Sequence, residues 1–174
     1  NQIYSHRIAI ETASSADLGP AITGNVIYDN SETAIRLGVG TDNALLASNT
    51  IYALQGDGIQ LPQESSHNVT IKDNVLYIRS GIAIHAESGR HFDFASDYNL
   101  IYTSEASAIG SWAGVTYTDH AAWYYQLGLD RNSLAGTSSS FDPQFQDVAG
   151  PDGLLGYSEL GMEPPIIVDD GDLG

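Results

Sequence analysis

The sequence contains no cysteine among its 174 residues. Disulfides, thiol nucleophiles and thiolate metal sites are therefore excluded, although this absence alone assigns no compartment. Basic residues are scarce: six Lys and Arg stand against 22 Asp and Glu, a formal charge of −16. Such a chain repels nucleic-acid phosphates and anionic membranes, so neither is an expected partner. It favours solubility and the company of cations. No apolar run approaches the roughly 20 residues needed to span a bilayer, and no signal peptide is visible. Apolar residues come instead in short runs between Gly, Asn, Asp and Ser.

What the chain does have is a repeat. Asn-x-(Ile/Leu)-Tyr begins at Asn1, Asn25, Asn49, Asn74 and Asn99, at spacings of 24, 24, 25 and 25 residues. A second pattern follows each one: Ile8-Ala9-Ile10, Ala34-Ile35-Arg36-Leu37, Gly58-Ile59-Gln60-Leu61, Gly81-Ile82-Ala83-Ile84 and Ala108-Ile109. A third apolar pair recurs as Leu45-Leu46, Val69 with Ile71, and Phe92 with Phe94. These segments are too short for helices, and their alternation is that of strands with one buried face. Short strands in a 24-residue unit close no core alone; stacked units do, each strand pairing in parallel with its equivalent one coil away. An antiparallel sandwich has no reason to repeat identical residues at this spacing. The expected fold is all-β: a parallel β-helix of about five coils over residues 1–112, and parallel strands strongly prefer right-handed crossovers. The recurring asparagines are expected at a corner, in the left-handed conformation, bonded to one another in a column.

The repeat ends near Trp112. Thr118 or Asp119 and Gly128 bracket a short helix in which Trp123 and Leu127 share a face. It is a candidate cover for the open end of the stack. The rest of residues 113–163 is expected to pack along the solenoid as extended chain through Phe141 and Phe145. Residues 164–174 are expected to be a stiff Pro164-Pro165 linker leading into a further β domain. The first residue is already a ladder asparagine, which implies further coils or a cap upstream in a longer protein.

The coils resemble right-handed parallel β-helix repeats of the pectate-lyase-like superfamily. The run from Asp97 through Trp123 and from Gly128 to Phe145 is similar to the C-terminal end of large secreted bacterial proteins of this kind. The tail Ile166–Asp172 resembles the opening of a β-sandwich module joined to them. The resemblance implies an extracellular or cell-surface setting and polysaccharide as a partner, and the open first coil makes neighbouring copies of the chain the other expected partner. It assigns no activity, because the fold hosts lyases, hydrolases, epimerases, adhesins and phage fibres.

Lyases of this fold imply a Lys or Arg base beside acid-held Ca²⁺. This sequence has one lysine, Lys72, and five arginines. On the second strand the outward column is expected to read Ala9, Arg36, Gln60, Ala83, with Glu11, Glu64, His85 and Glu87 just beyond it. Arg36, Gln60, His85 and Glu87 are therefore the candidate carbohydrate contacts. A glycosidase needs two facing carboxylates; Glu11, Glu64 and Glu87 are candidates, and no pair stands out. His6, His67, His85, His91 and His120 lack metal-ligand spacing. Asp169, Asp170 and Asp172 form a candidate Ca²⁺ cluster without the closing Glu of an EF-hand loop; no other cofactor is implied. Asn68-Val69-Thr70 is a formal glycosylation sequon and also a turn into a strand. With no convergent catalytic set, the expected role is a non-catalytic structural, matrix or filament-forming module. The alternative is a fragment of a polysaccharide lyase or glycoside hydrolase whose catalytic coils lie upstream.

Overall fold

A computed structural model describes residues 1–13, 19–149 and 155. The chain winds into a parallel solenoid. The first coil holds β1 (Gln2–Tyr4), β2 (Ile8–Glu11) and β3 (Ala21–Thr23); the second holds β4 (Val26–Tyr28), β5 (Thr33–Arg36) and β6 (Leu45–Ala47). The third holds β7 (Thr50–Ala53), β8 (Asp57–Leu61), the short β9 (Ser66–His67) and β10 (Thr70–Lys72). The fourth holds β11 (Val75–Ile78), β12 (Ile82–Ala86), β13 (His91–Phe92) and β14 (Ala95–Asp97). A fifth begins with β15 (Leu100–Thr103) and β16 (Ala108–Trp112), then reverses into antiparallel β17 (Val115–Tyr117). Helix α1 (His120–Leu127), β18 (Leu134–Gly136) and a 3-10 turn at Ser139–Phe141 follow.

Equivalent strands form three long sheets. The first runs β1-β4-β7-β11-β15-β18, the second β2-β5-β8-β12-β16-β17, and the third β3-β6-β10-β14; β9 and β13 pair at the corner between the second and third. Register follows the repeat. Ile3, Ile27, Ile51, Leu76 and Ile101 align inside the first sheet, and Tyr4, Tyr28, Tyr52, Tyr77 and Tyr102 align on the alternate side. Inside the second sheet Ile10, Ile35, Ile59 and Ile84 align. From Ile27 to Ile101 and from Ile35 to Ile84 these interior residues are fully buried. Each contributes roughly 1.5–3 kcal/mol of transfer free energy, and the interior has no other means of closing.

The asparagine ladder forms, with one correction. Asn25 Nδ2 donates to Asn49 Oδ1 (3.0 Å), Asn49 to Asn74 (3.0 Å) and Asn74 to Asn99 (3.1 Å), all buried. The left-handed residue is not the asparagine but its predecessor: Gly24 (φ 66°), Ser48 (55°), Asp73 (57°) and Tyr98 (59°). Turning the backbone one residue earlier aims the asparagine inward, where its amide satisfies carbonyls such as Leu46 O (3.0 Å from Asn74 Nδ2). A second left-handed column, Asn43, Asn68 and Asp93, marks the turn into the third sheet. Phe92 and Phe94 also shift from their expected place. Phe92 pairs with His67, Ala95 with Thr70 and Ser96 with Ile71, so the fourth coil puts a serine where its predecessor has the buried isoleucine.

The last coil is covered by the chain that follows it. Asp119 caps α1 by accepting from Ala122 N (2.8 Å), and left-handed Gly128 (φ 74°) ends it. Trp123 is fully buried. Asp130, also fully buried, ends the ladder: it accepts from Asn99 Nδ2 (2.9 Å), Ser133 Oγ (2.6 Å) and Trp123 Nε1 (2.9 Å). Asp97 binds the Asn132 backbone (2.6 Å) and side chain (2.7 Å), covering the third sheet. Strand β18 adds a sixth strand to the first sheet from beyond the last repeat. The chain then returns over the tyrosine column, with Phe145 edge-on to Tyr52 (5.7 Å between ring centroids). The expected linker and further domain at residues 164–174 lie outside the described residues.

Candidate functional site

Outside the second sheet, strand pairing builds a column one residue per coil: Glu11, Arg36, Gln60, His85 and Ser111. This corrects the expected column of Ala9, Arg36, Gln60 and Ala83. Gly81-Ile82 resembles Gly58-Ile59, but Ile59 pairs with Ile84. A slip of two residues keeps the alternation intact, so the pattern alone accommodates both registers. Ala83 is buried, and His85 takes its place outside.

The column is internally bonded. Arg36 Nε donates to Gln60 Oε1 (2.7 Å), and Gln60 Nε2 donates to Glu87 Oε1 (2.5 Å). Arg36 also binds Glu32, which binds Arg7, and it lies 3.8 Å from Glu11 Oε1. Hydrogen bonds from Arg36, and then from Arg7, hold the Glu32 carboxyl below the usual carboxylate range. His85 Nδ1 meets Asp57 Oδ2 at 2.6 Å, and the other Asp57 oxygen accepts from Ile82 N (2.9 Å). The Asp57 hydrogen bond raises the His85 pKa above its ordinary 6.5 against the opposing effect of burial, and the charges of Asp57 and Glu87 add to the rise. Arg36, Gln60, His85 and Glu87 thus share one face. Glu64 is exposed in the connection between β8 and β9, off the column.

Chemically, the face offers a guanidinium, an amide, an imidazole and carboxylates at the coil spacing of roughly 4.8 Å. Those groups exchange hydrogen bonds with hydroxyls. The sequence pattern alone does not bring Asp57 or the Arg7–Glu32 pair into this face. Asp57 partners a residue 28 positions on, off the 24–25 spacing. Arg7 and Glu32 do keep a separation of 25, so the repeat spacing is the sequence signal that links them.

The remaining candidates lie elsewhere. His91 is buried against Ser66 Oγ (2.8 Å) and Trp112, away from any outer column. His67 stacks on Phe92, and His120 meets the Asp130 carbonyl (2.7 Å). Asn68 is exposed and donates to Asn43 Oδ1 (2.9 Å). Among the described residues no group of three His, Asp or Glu is arranged to hold a metal ion, and no helix is long and apolar enough to cross a membrane. Asp169, Asp170 and Asp172 fall outside the described residues.

A family model described as a right handed beta helix region matches residues 1–122. No curated protein and no solved structure matches the chain.

Proposed function

Because the chain belongs to the right-handed β-helix family, we propose that it is a rigid, non-catalytic module of an extracellular or cell-surface protein that contacts carbohydrate along the outer face of its second sheet. The observation that carries this reading is the continuous chain Arg36–Gln60–Glu87, with His85 in register beside it. One polar group per coil suits an extended glycan lying along the axis. The acidity of the whole chain disfavours anionic polysaccharides and favours neutral ones, or anionic ones bridged by Ca²⁺. The bonded state of the face fits contact better than catalysis: Glu32, Asp57 and Glu87 each already engage a neighbour.

The closed C-terminal end bears on the filament version. Stacking that end on the first coil of another copy requires removal of α1, the Asp97–Asn132 lock and β18. The covered end therefore favours a capped solenoid over a repeating filament subunit.

One observation favours a second, enzymatic reading. An imidazole oriented by a carboxylate, as His85 is by Asp57, is how general bases are built. A panel of neutral and uronic polysaccharides, with and without Ca²⁺, tests both. Binding without turnover, weakened about tenfold in an Arg36→Ala, Gln60→Ala variant, is the expected result. Turnover abolished by His85→Gln would replace the module by an enzyme. Absence of binding to any member of the panel would sink the carbohydrate reading.

A further inference from the structure

The fourth coil departs from its neighbours at two corners. Where it carries Tyr98, the coils before it have Gly24, Ser48 and Asp73. Where it carries Phe92, the preceding coil has His67. Both rings are exposed, Phe92 at 55 % and Tyr98 at 61 %. Neither contributes much to the core, so the fold does not account for them.

Tyr98 is the sharper anomaly. It holds φ 59°, a conformation that a glycine, asparagine or aspartate adopts far more readily than a bulky side chain. An exposed ring recovers little of that cost through burial. A local conflict of this kind, held by surrounding structure, points to a functional constraint. The surroundings do hold it: Tyr98 N donates to Asp97 Oδ1 (2.9 Å), and Asp97 is locked to Asn132. Phe92 is fixed as well. It stacks on His67 with ring centroids 5.2 Å apart and 17° between planes, and Asp42 holds His67 Nδ1 at 3.1 Å.

We propose that Phe92 and Tyr98 form a second carbohydrate contact, in which a neutral glycan lies along the outer side of β14 with one sugar packed on each ring. The two residues flank β14, whose Ala95 is exposed and small. They stand six positions apart in the chain, at most about 20 Å and so within the reach of an oligosaccharide. A pyranose offers an apolar C–H face to an aromatic ring and hydroxyls to its polar neighbours. Fixed rings lose little freedom when they bind. Asp73, Asp93 and Asp97 lie beside the rings or between them, and their charge selects a neutral sugar over an anionic one.

This site is separate from the polar face of the second sheet, and its test keeps the two apart. Neutral hexasaccharides of glucose, xylose, mannose and galactose are titrated into the full chain by calorimetry. The expected result is binding of at least one, weakened about tenfold by Tyr98→Asn and by Phe92→Ala. Binding should be retained in Phe92→Tyr. Tyr98→Asn should also raise the thermal midpoint, because asparagine relieves the left-handed turn, so loss of binding is separable from loss of fold. Binding lost only in the Arg36→Ala, Gln60→Ala variant overturns this site and keeps the polar face. No binding at all, unchanged affinity in Tyr98→Asn, or rings that serve self-association on sedimentation overturns it too.

Discussion

Trp123 fills the space that a side chain on Gly110 would need. Gly110 pairs with Ile84 and so stands in the interior isoleucine column of the second sheet. A methyl group there would overlap three carbons of the Trp123 indole. The fifth coil thus omits its isoleucine, and the covering helix supplies the missing volume. The same device recurs outside the first sheet: Gly136 pairs with Tyr102, and the Phe141 ring lies 3.4 Å from where a Gly136 side chain would begin. At both places the repeat is completed by a residue from the cover.

Gly110→Val is therefore expected to displace α1. Overpacking a filled interior costs about 1–3 kcal/mol, and here the obstacle is a fully buried ring tied to Asp130. Trp123→Ala should cost about 3–5 kcal/mol through the opposite fault, a cavity. Urea denaturation of both variants checks the pair. Valine tolerated without loss at position 110 would contradict the packing described.

Asn74→Ala breaks the ladder at its middle. Asn74 Oδ1 accepts from both the backbone and the side chain of Asn49 (3.0 Å each), and Asn74 Nδ2 donates to Leu46 O, Lys72 O and Asn99 Oδ1. Truncation orphans the buried Asn49 N–H, at an expected cost of about 1–3 kcal/mol. Asn74→Asp should be worse at neutral pH than in acid, because a carboxylate there faces the Leu46 and Lys72 carbonyls. Equilibrium unfolding at the two pH values decides; equal stabilities would show that the carboxyl turns away.

These features differ in how openly the sequence displays them. Asn25, Asn49, Asn74 and Asn99, and the isoleucines between them, are legible because stacking turns a covalent spacing directly into a spatial column. The outer face was legible only in part. Gly81-Ile82-Ala83-Ile84 satisfies alternation in two registers, and interior packing of Ile84 on Ile59, rather than pattern, selects one. Asp130 lies 31 residues after Asn99, outside the period, and so was invisible as the ladder's end. Gly110 and Trp123 depend on each other across a turn and a helix, and nothing in their spacing links them.

Phe145→Ala should uncover the tyrosine column. Burial raises the Tyr52 and Tyr77 pKa values above the ordinary 10.0, and the Phe145 ring sits 5.7 Å from one and 6.2 Å from the other. Removing it should bring both phenols back toward 10.0 and destabilise the chain by about 1–3 kcal/mol. Ultraviolet titration of the tyrosines reads the first effect, thermal unfolding the second. Unchanged titration would mean that the shielding comes from elsewhere.

Two histidines give the stability opposite slopes with pH. His91 is buried, and its Nε2 is the one buried side-chain polar atom without a hydrogen-bond partner among the described residues. Burial lowers its pKa below 6.5, so the unfolded chain takes up the proton more readily, and stability falls as pH drops below 6.5. His85 behaves in reverse. Its folded pKa is raised, chiefly by the Asp57 hydrogen bond, so its contribution is fully present below 6.5 and is lost as pH rises through the raised value. His91→Phe should therefore flatten the acid side of a plot of thermal midpoint against pH, and His85→Gln the opposite side. Either variant acting on the wrong side would refute the corresponding assignment, and the double variant should show the flattest profile of the three.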